Sequence, residues 1–228
     1  MRFTLSLLSV VLFFILCARP SDGARPVRER PNPGDFGIRA INIVGSGCPA
    51  GTAHASVAPA NDAFTVIFDD FVTQVQPGTR NAKSRCVVHV KMNVPNGWSY
   101  SLSSVDFRGF VSLEAGVNAK QKAIYKVAGE NLSNADTNEN NDDNAGNNTS
   151  ETDWNGPFED TFAVRDLPRT GAAQWSECGN DTSKRKNVRI ITKITVRNPP
   201  PGNQAASGFL AMDSIDGEVF HVQWKRCP

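Results

Sequence analysis

The chain has 228 residues, with 24 Lys and Arg against 23 Asp and Glu, for a net charge of +1. That length suits one all-β domain or two small ones. The balanced charge has no clustered basic excess of the kind a nucleic-acid binder shows, so nucleic acid is not an expected partner. No zinc-ligand spacing, phosphate-cradling glycine loop or nucleophile elbow is present, so no cofactor and no catalytic residue is expected.

Met1-Arg2 precedes an apolar run from Leu5 to Cys17, broken only by Ser6 and Ser9. It is shorter than the ~20 residues a membrane span needs. A charged start, a short apolar core and then small residues read as a signal peptide over 1–23, cleaved after Gly23 or Ala24, and point to a secreted, extracellular protein with no membrane span. Residues 24–35 hold Pro26, Pro31 and Pro33 and read as an exposed, disordered Pro/Arg-rich arm. A single domain is expected over 36–228.

Apolar and polar residues alternate with period two along much of that domain, as half-buried strands require. Val88, Val90, Met92 and Val94 alternate with His89, Lys91 and Asn93. Val188, Ile190, Ile194 and Val196 alternate with Arg189, Lys193 and Thr195. Phe64, Val66 and Phe68 give a shorter version, as do Phe220, Val222 and Trp224. Further strands are expected at 38–44, 71–76, 98–102, 107–113, 123–127, 158–167 and 208–213. Asn96-Gly97 and Asp216-Gly217 supply the positive φ angles of tight hairpins. The fold class is therefore all-β: one antiparallel β-sandwich of about ten strands with two disulfides, a jelly-roll-like variant staying open.

Residues 130–153 break the pattern. They are crowded with Asn, Asp, Glu, Ser and Thr, and bury too little apolar surface to offset the entropy of ordering. A disordered insertion is expected there. Glycosylation acceptor patterns start at Asn131, Asn147, Asn148 and Asn180, consistent with a glycoprotein.

Other site candidates are sparse. Asp69-Asp70 follows a strand and is the candidate pair for a cation, although adjacent aspartates at a strand end usually only solvate a turn. His89 and His221 fall on polar sides of strands. Of four tryptophans, Trp224 alternates inward, whereas Trp98, Tyr100 and Trp154 are the candidates for stacking on a sugar ring.

Four cysteines follow the leader: Cys48, Cys86, Cys178 and Cys227. An even count behind a secretion signal reads as two disulfides, and three pairings are open. The sequential pairing, Cys48 with Cys86 and Cys178 with Cys227, is favoured.

Five phrases occur in order: Gly45-Ser-Gly-Cys-Pro-x-Gly-Thr52, Phe64-Thr-Val-x-Phe-Asp69, Asp106-Phe-Arg-Gly-Phe110, Trp175-Ser-x-Cys-Gly179 and Trp224-x-x-Cys227. Over 41–227 this set resembles a family of small secreted proteins of microbial eukaryotes and bacteria classed as a domain of unknown function. The resemblance implies secretion and a β-rich fold, and carries over no catalytic residue. The expected function is a non-enzymatic cell-surface or matrix binding module for a glycan or an extracellular protein. The alternatives are an effector or inhibitor acting on a host or competitor protein, and a polysaccharide-active enzyme.

Overall fold

The computed structural model describes residues 30–32, 35–59, 63–127, 149–166, 175–176, 178, 186–198, 205–213 and 218–228. The leader, most of the arm, positions 130–148 and the Asp216-Gly217 hairpin lie outside these residues. Twelve strands and no helix occur among the described residues. In chain order they are β1 (Gly37–Val44), β2 (Ala53–Val57), β3 (Ala63–Phe68), β4 (Val72–Val75), β5 (Asn81–Asn93), β6 (Trp98–Leu113), β7 (Asn118–Val127), β8 (Thr149–Asn155), β9 (Phe158–Asp166), β10 (Lys186–Arg197), β11 (Gly208–Met212) and β12 (Glu218–Arg226).

All pairings are antiparallel, and they form two sheets. One has the order β1-β5-β10-β7-β8; the other runs β2-β3-β12-β6-β11-β4, with β9 also on β6. Only β2 to β4, β7 to β8 and β11 to β12 follow one another within a sheet; at every other junction the chain changes sheets, so each sheet is completed by strands distant in sequence. The two inner faces meet in one core. Val88, Val90, Ile190 and Ile194 come from the five-stranded sheet; Phe64, Phe68, Phe107, Val111 and Leu210 come from the seven-stranded one. The molecule is an antiparallel β-sandwich, and its inward residues on β5 and β10 are those that alternation selects.

Three features depart from expectation. Positions 98–102 and 107–113 form one strand, β6, of 16 residues, which crosses a register shift opposite His221 and Val222. Strand β2, Ala-His-Ala-Ser-Val, is an exposed sheet edge whose small residues give no alternation signal. Strand β8 corrects the expected insertion: Thr149 to Asp153 pair with β7 rather than ending a disordered loop. Its outward Glu151 and Asp153 are not loop polarity; they face Lys120 and Lys122 across the sheet at 2.7–3.4 Å. Inward, Trp154 supplies the apolar anchor that the polar composition hides.

The disulfides are Cys48–Cys86 and Cys178–Cys227. The first fastens the loop after β1 to the inner face of β5. Glycines make that approach possible: a Cβ on Gly45 would lie 2.1 Å from the Arg85 carbonyl oxygen, and one on Gly47 would lie 2.2 Å from the Phe71 ring. The Gly47 amide donates to that same carbonyl at 2.9 Å. The second disulfide fastens the end of β12 to the Trp175–Cys178 segment. The Ser176 amide donates to the Tyr100 carbonyl there at 2.8 Å, and its hydroxyl accepts from the Tyr100 amide at 3.2 Å.

Candidate functional site

The aromatics that the sequence offers for sugar stacking are corrected by the structure, because the face they share is the core face. Tyr100 is fully buried, 5.9 Å from the Trp224 ring. Burial pushes its phenol far above the ordinary range. Trp98, two residues earlier on the same side of β6, is 6% exposed beneath the Arg226 guanidinium, 4.7 Å from its ring. Trp154 packs on Phe162 at 4.8 Å. None of the three presents a ring face to a ligand.

Asp69 and Asp70 are exposed, and Asp69 lies 3.2 Å from the His54 imidazole. Among the described residues no group of three or more His, Cys, Asp or Glu is placed to hold a metal ion. Asn131, Asn147, Asn148 and Asn180 lie outside the described residues.

A different aromatic pair faces outward. Along β6, Phe107, Gly109, Val111 and Leu113 point into the core, which turns Asp106, Arg108, Phe110 and Ser112 to the outside. Register then builds a surface from four strands. Phe110 lies between Thr161 of β9 and Ala211 of β11, and Ala211 lies opposite Val72 of β4. Phe209 lies between Ser112 and Gln74. The rings of Phe110 and Phe209 stand 5.6 Å apart at 36°, within the range where aromatic pairs attract. Both are half-buried, and Val72, 38% exposed, extends the patch to the sheet edge.

Polar groups frame this platform. Gln74, Glu159 and Thr161 are exposed around the two rings. At the β9 end, Arg165 donates to both Asp106 carboxylate oxygens, at 2.5 and 2.8 Å, and this contact holds the guanidinium above its ordinary pKa. Arg108 stands between that pair and Phe110.

The platform is supported from the inside. A Cβ on Gly109 would lie 2.0 Å from the Ala211 carbonyl oxygen and 2.7 Å from the Phe162 ring. Glycine there lets Phe162 press against the sheet directly behind Phe110, with Trp154 behind Phe162. Two half-exposed rings at fixed separation, ringed by an amide, a carboxylate, a hydroxyl and guanidinium groups, suit a ligand with flat apolar patches and many hydroxyls.

The sequence held a partial signal for this site. The phrase Asp106-Phe-Arg-Gly-Phe110 alternates, so three of its residues share one face. What alternation withholds is the neighbour: Phe209 is 99 positions away by residue number and meets Phe110 only through the β6–β11 register.

A family model described as "Domain of unknown function (DUF4360)" matches residues 34–227. An "Uncharacterized secreted protein" of Arthroderma benhamiae is 29% identical over 202 residues, spanning 86% of this chain and 74% of that one. Two solved structures share low similarity. TmCBM61, in complex with β-1,4-galactotriose, has a TM-score of 0.25 and 14% identity, over 84% of this chain and 91% of that one. The enzymatically active domain of the bacteriophage CBA120 tailspike protein 4 has a TM-score of 0.21 and 11% identity, over 86% and 20%. The protein is secreted, in line with its relative's name, and its two disulfides fit an oxidising extracellular setting. Matched from residue 34 to its last cysteine at 227, this chain belongs to the DUF4360 family.

Proposed function

We propose that this secreted protein is a non-enzymatic binding module of the cell surface or extracellular matrix, and that it recognises a glycan on the outward face of β6, β9, β11 and β4. The observation that carries this reading is the Phe110–Phe209 pair, held at 5.6 Å on a rigid sheet with polar groups around it. Buried rings in that number would be packing; two half-exposed rings sharing an outward face invite an apolar partner. Pyranose rings meet the requirement, since their C–H faces stack on Phe while their hydroxyls reach Gln74, Glu159, Thr161 and Arg108. The signal peptide over 1–23 and the glycan attachment sites belong to the same proposal and are checked by N-terminal sequencing and mass measurement of the secreted protein.

A glycan array with wild type, Phe110→Ala and Phe209→Ala tests the site. Each alanine is expected to weaken the best ligand about tenfold or more, the loss typical of a central aromatic anchor. An array with no binding above background, or alanine variants that bind like wild type, contradicts it. The alternative of an effector or inhibitor would rest on the acidic segment at 130–153, of which 130–148 lie outside the described residues.

A further inference from the structure

The outward face of the five-stranded sheet carries a different chemistry. On β5 the residues turned away from the core are Lys83, Arg85, Val87, His89 and Lys91. On β10 and β7 the same side alternates basic and apolar residues in matching phase. Register aligns these strands into rows. Arg85 lies opposite Lys193, which lies opposite Lys122; His89 lies opposite Arg189, which lies opposite Lys126. Between the rows run Val87, Ile191 and Ile124, a small buried cluster separate from the core.

Strands sit ~4.8 Å apart, and like charges directly opposite one another destabilise a sheet. Here the Arg85, Lys193 and Lys122 row places three cations side by side across three strands, and beyond the apolar row Arg189 stands beside Lys126 and His89. Among the described strand residues of this sheet, acids occur only on β8, where Glu151 pairs with Lys120 and Lys122 at 2.7 and 3.0 Å and Asp153 lies 3.4 Å from Lys120. Arg85 and Arg189 are buried, and they and Lys122, Lys126 and Lys193 are engaged in contacts, whereas Lys83 and Lys91 are exposed at the two ends of β5 and are the cations this face offers most openly. His89 registers the local field: burial first, then Arg189, Arg85 and Lys91, hold its imidazole below the ordinary value, and its neighbour on β1 is the uncharged Asn42.

We propose that this face binds a linear acidic polysaccharide, whose regularly spaced carboxylate or sulfate groups lie across the basic rows of β5, β10 and β7. Charge complementarity selects a polyanion. Location outside the cell selects an anionic glycan among polyanions. Composition argues the same way: no Phe, Tyr or Trp faces outward among the described residues of this sheet, so bases of a single-stranded nucleic acid would find no ring to stack on. The surface is the opposite side of the sandwich from the Phe110–Phe209 platform and does not depend on it.

The test uses the full secreted protein and two probes, polygalacturonate for carboxylate and dextran sulfate for sulfate. Neutral dextran, single-stranded DNA and inorganic polyphosphate serve as comparisons. Expected is binding to at least one acidic polysaccharide that weakens steeply as salt is raised, with none to neutral dextran. Lys83→Glu combined with Lys91→Glu, both exposed, should weaken it about tenfold. Lys83→Ala with Lys91→Ala should give a smaller loss in the same direction, and Phe110→Ala should leave it unchanged. Saturation should raise the His89 imidazole pKa, read by NMR against His89→Gln to assign the signal. Four results overturn the proposal: no retention of either polysaccharide at low salt, a charge-reversed variant that binds like wild type, DNA or polyphosphate bound as tightly as the polysaccharides, or a ligand lost in Phe110→Ala.

Discussion

On the outward face of the seven-stranded sheet, neighbouring strands set Phe110 against Phe209; on the five-stranded sheet, equivalent cross-strand positions hold Arg85, Lys193 and Lys122. The inward positions of the same strands serve one core: valine, isoleucine and alanine on the five-stranded sheet meet phenylalanine, valine and leucine on the seven-stranded one. Both faces follow from the same period-two geometry, in which each strand assigns half its residues to packing and leaves the other half free to vary. The core fixes shape; the outward halves carry chemistry. An aromatic on such a strand is therefore informative only once its side of the sheet is known, which is why Tyr100 and Phe110, on the same strand, have opposite roles.

The sharpest way to show that the two faces share one core is to weaken that core. Cys48→Ala with Cys86→Ala opens a closed loop of 38 residues, and loop-closure entropy assigns about 4 kcal/mol to such a link. Urea unfolding should show a loss of that order, and ligand binding at both faces should fail over the same transition. Binding that survives at one face after the other has melted would mean two independent units.

A smaller effect of opposite sign comes from the middle of the core. Gln121 on β7 is fully buried, and neither its Nε2 nor its Oε1 has a hydrogen-bond partner among the described residues. Removing an unsatisfied buried amide recovers its desolvation cost. Gln121→Met, similar in length, should raise stability by about 1 kcal/mol or more in chemical denaturation, with both faces binding as before. A destabilised variant would show that the amide is satisfied in solution.

The smallest effect concerns the seam between the sheets. Asp166 of β9 accepts hydrogen bonds from Tyr125 of β7, at 2.7 Å, and from Ser150 of β8, at 2.5 Å. Burial raises its carboxyl above the ordinary value; those two hydrogen bonds act the other way, and Asp106 adds to the rise. A group whose pKa is higher folded than unfolded binds its proton more tightly in the fold. Its contribution is therefore complete below the ordinary carboxylate value and fades as pH rises through the raised one. Between pH 7 and pH 4, the stability of wild type relative to Asp166→Asn should shift in favour of wild type. A difference that stays flat with pH, followed by urea midpoints, would place Asp166 outside this linkage.

Much of the fold was legible because alternation is local. The inward residues of β5 and β10 can be read directly from Val88, Val90, Val188 and Ile190. Strand β8 was not legible, since Thr-Ser-Glu-Thr-Asp has no apolar period and its acids make sense only opposite Lys120 and Lys122. The candidate sites were legible in part and for the same reason. Lys83-x-Arg-x-Val-x-His-x-Lys91 shows its period within one strand, and so does Asp106-x-Arg-x-Phe110. Their partners lie on β10, β7 and β11, and sequence carries no register between strands so distant. Trp98 and Trp154 misled because large aromatics fit a ligand platform and a core equally well by composition, and only the side they face separates the two.

The most direct measurement is one binding experiment read across three proteins: wild type, Phe110→Ala, and Lys83→Glu with Lys91→Glu, each against a neutral-glycan array and polygalacturonate. The predicted result is a crossed pattern, with the phenylalanine variant losing the array ligand about tenfold and keeping the acidic chain. The lysine variant should do the reverse. Loss of both ligands in either folded variant, or of neither in both, would contradict the assignment of separate binding surfaces to the two sheets.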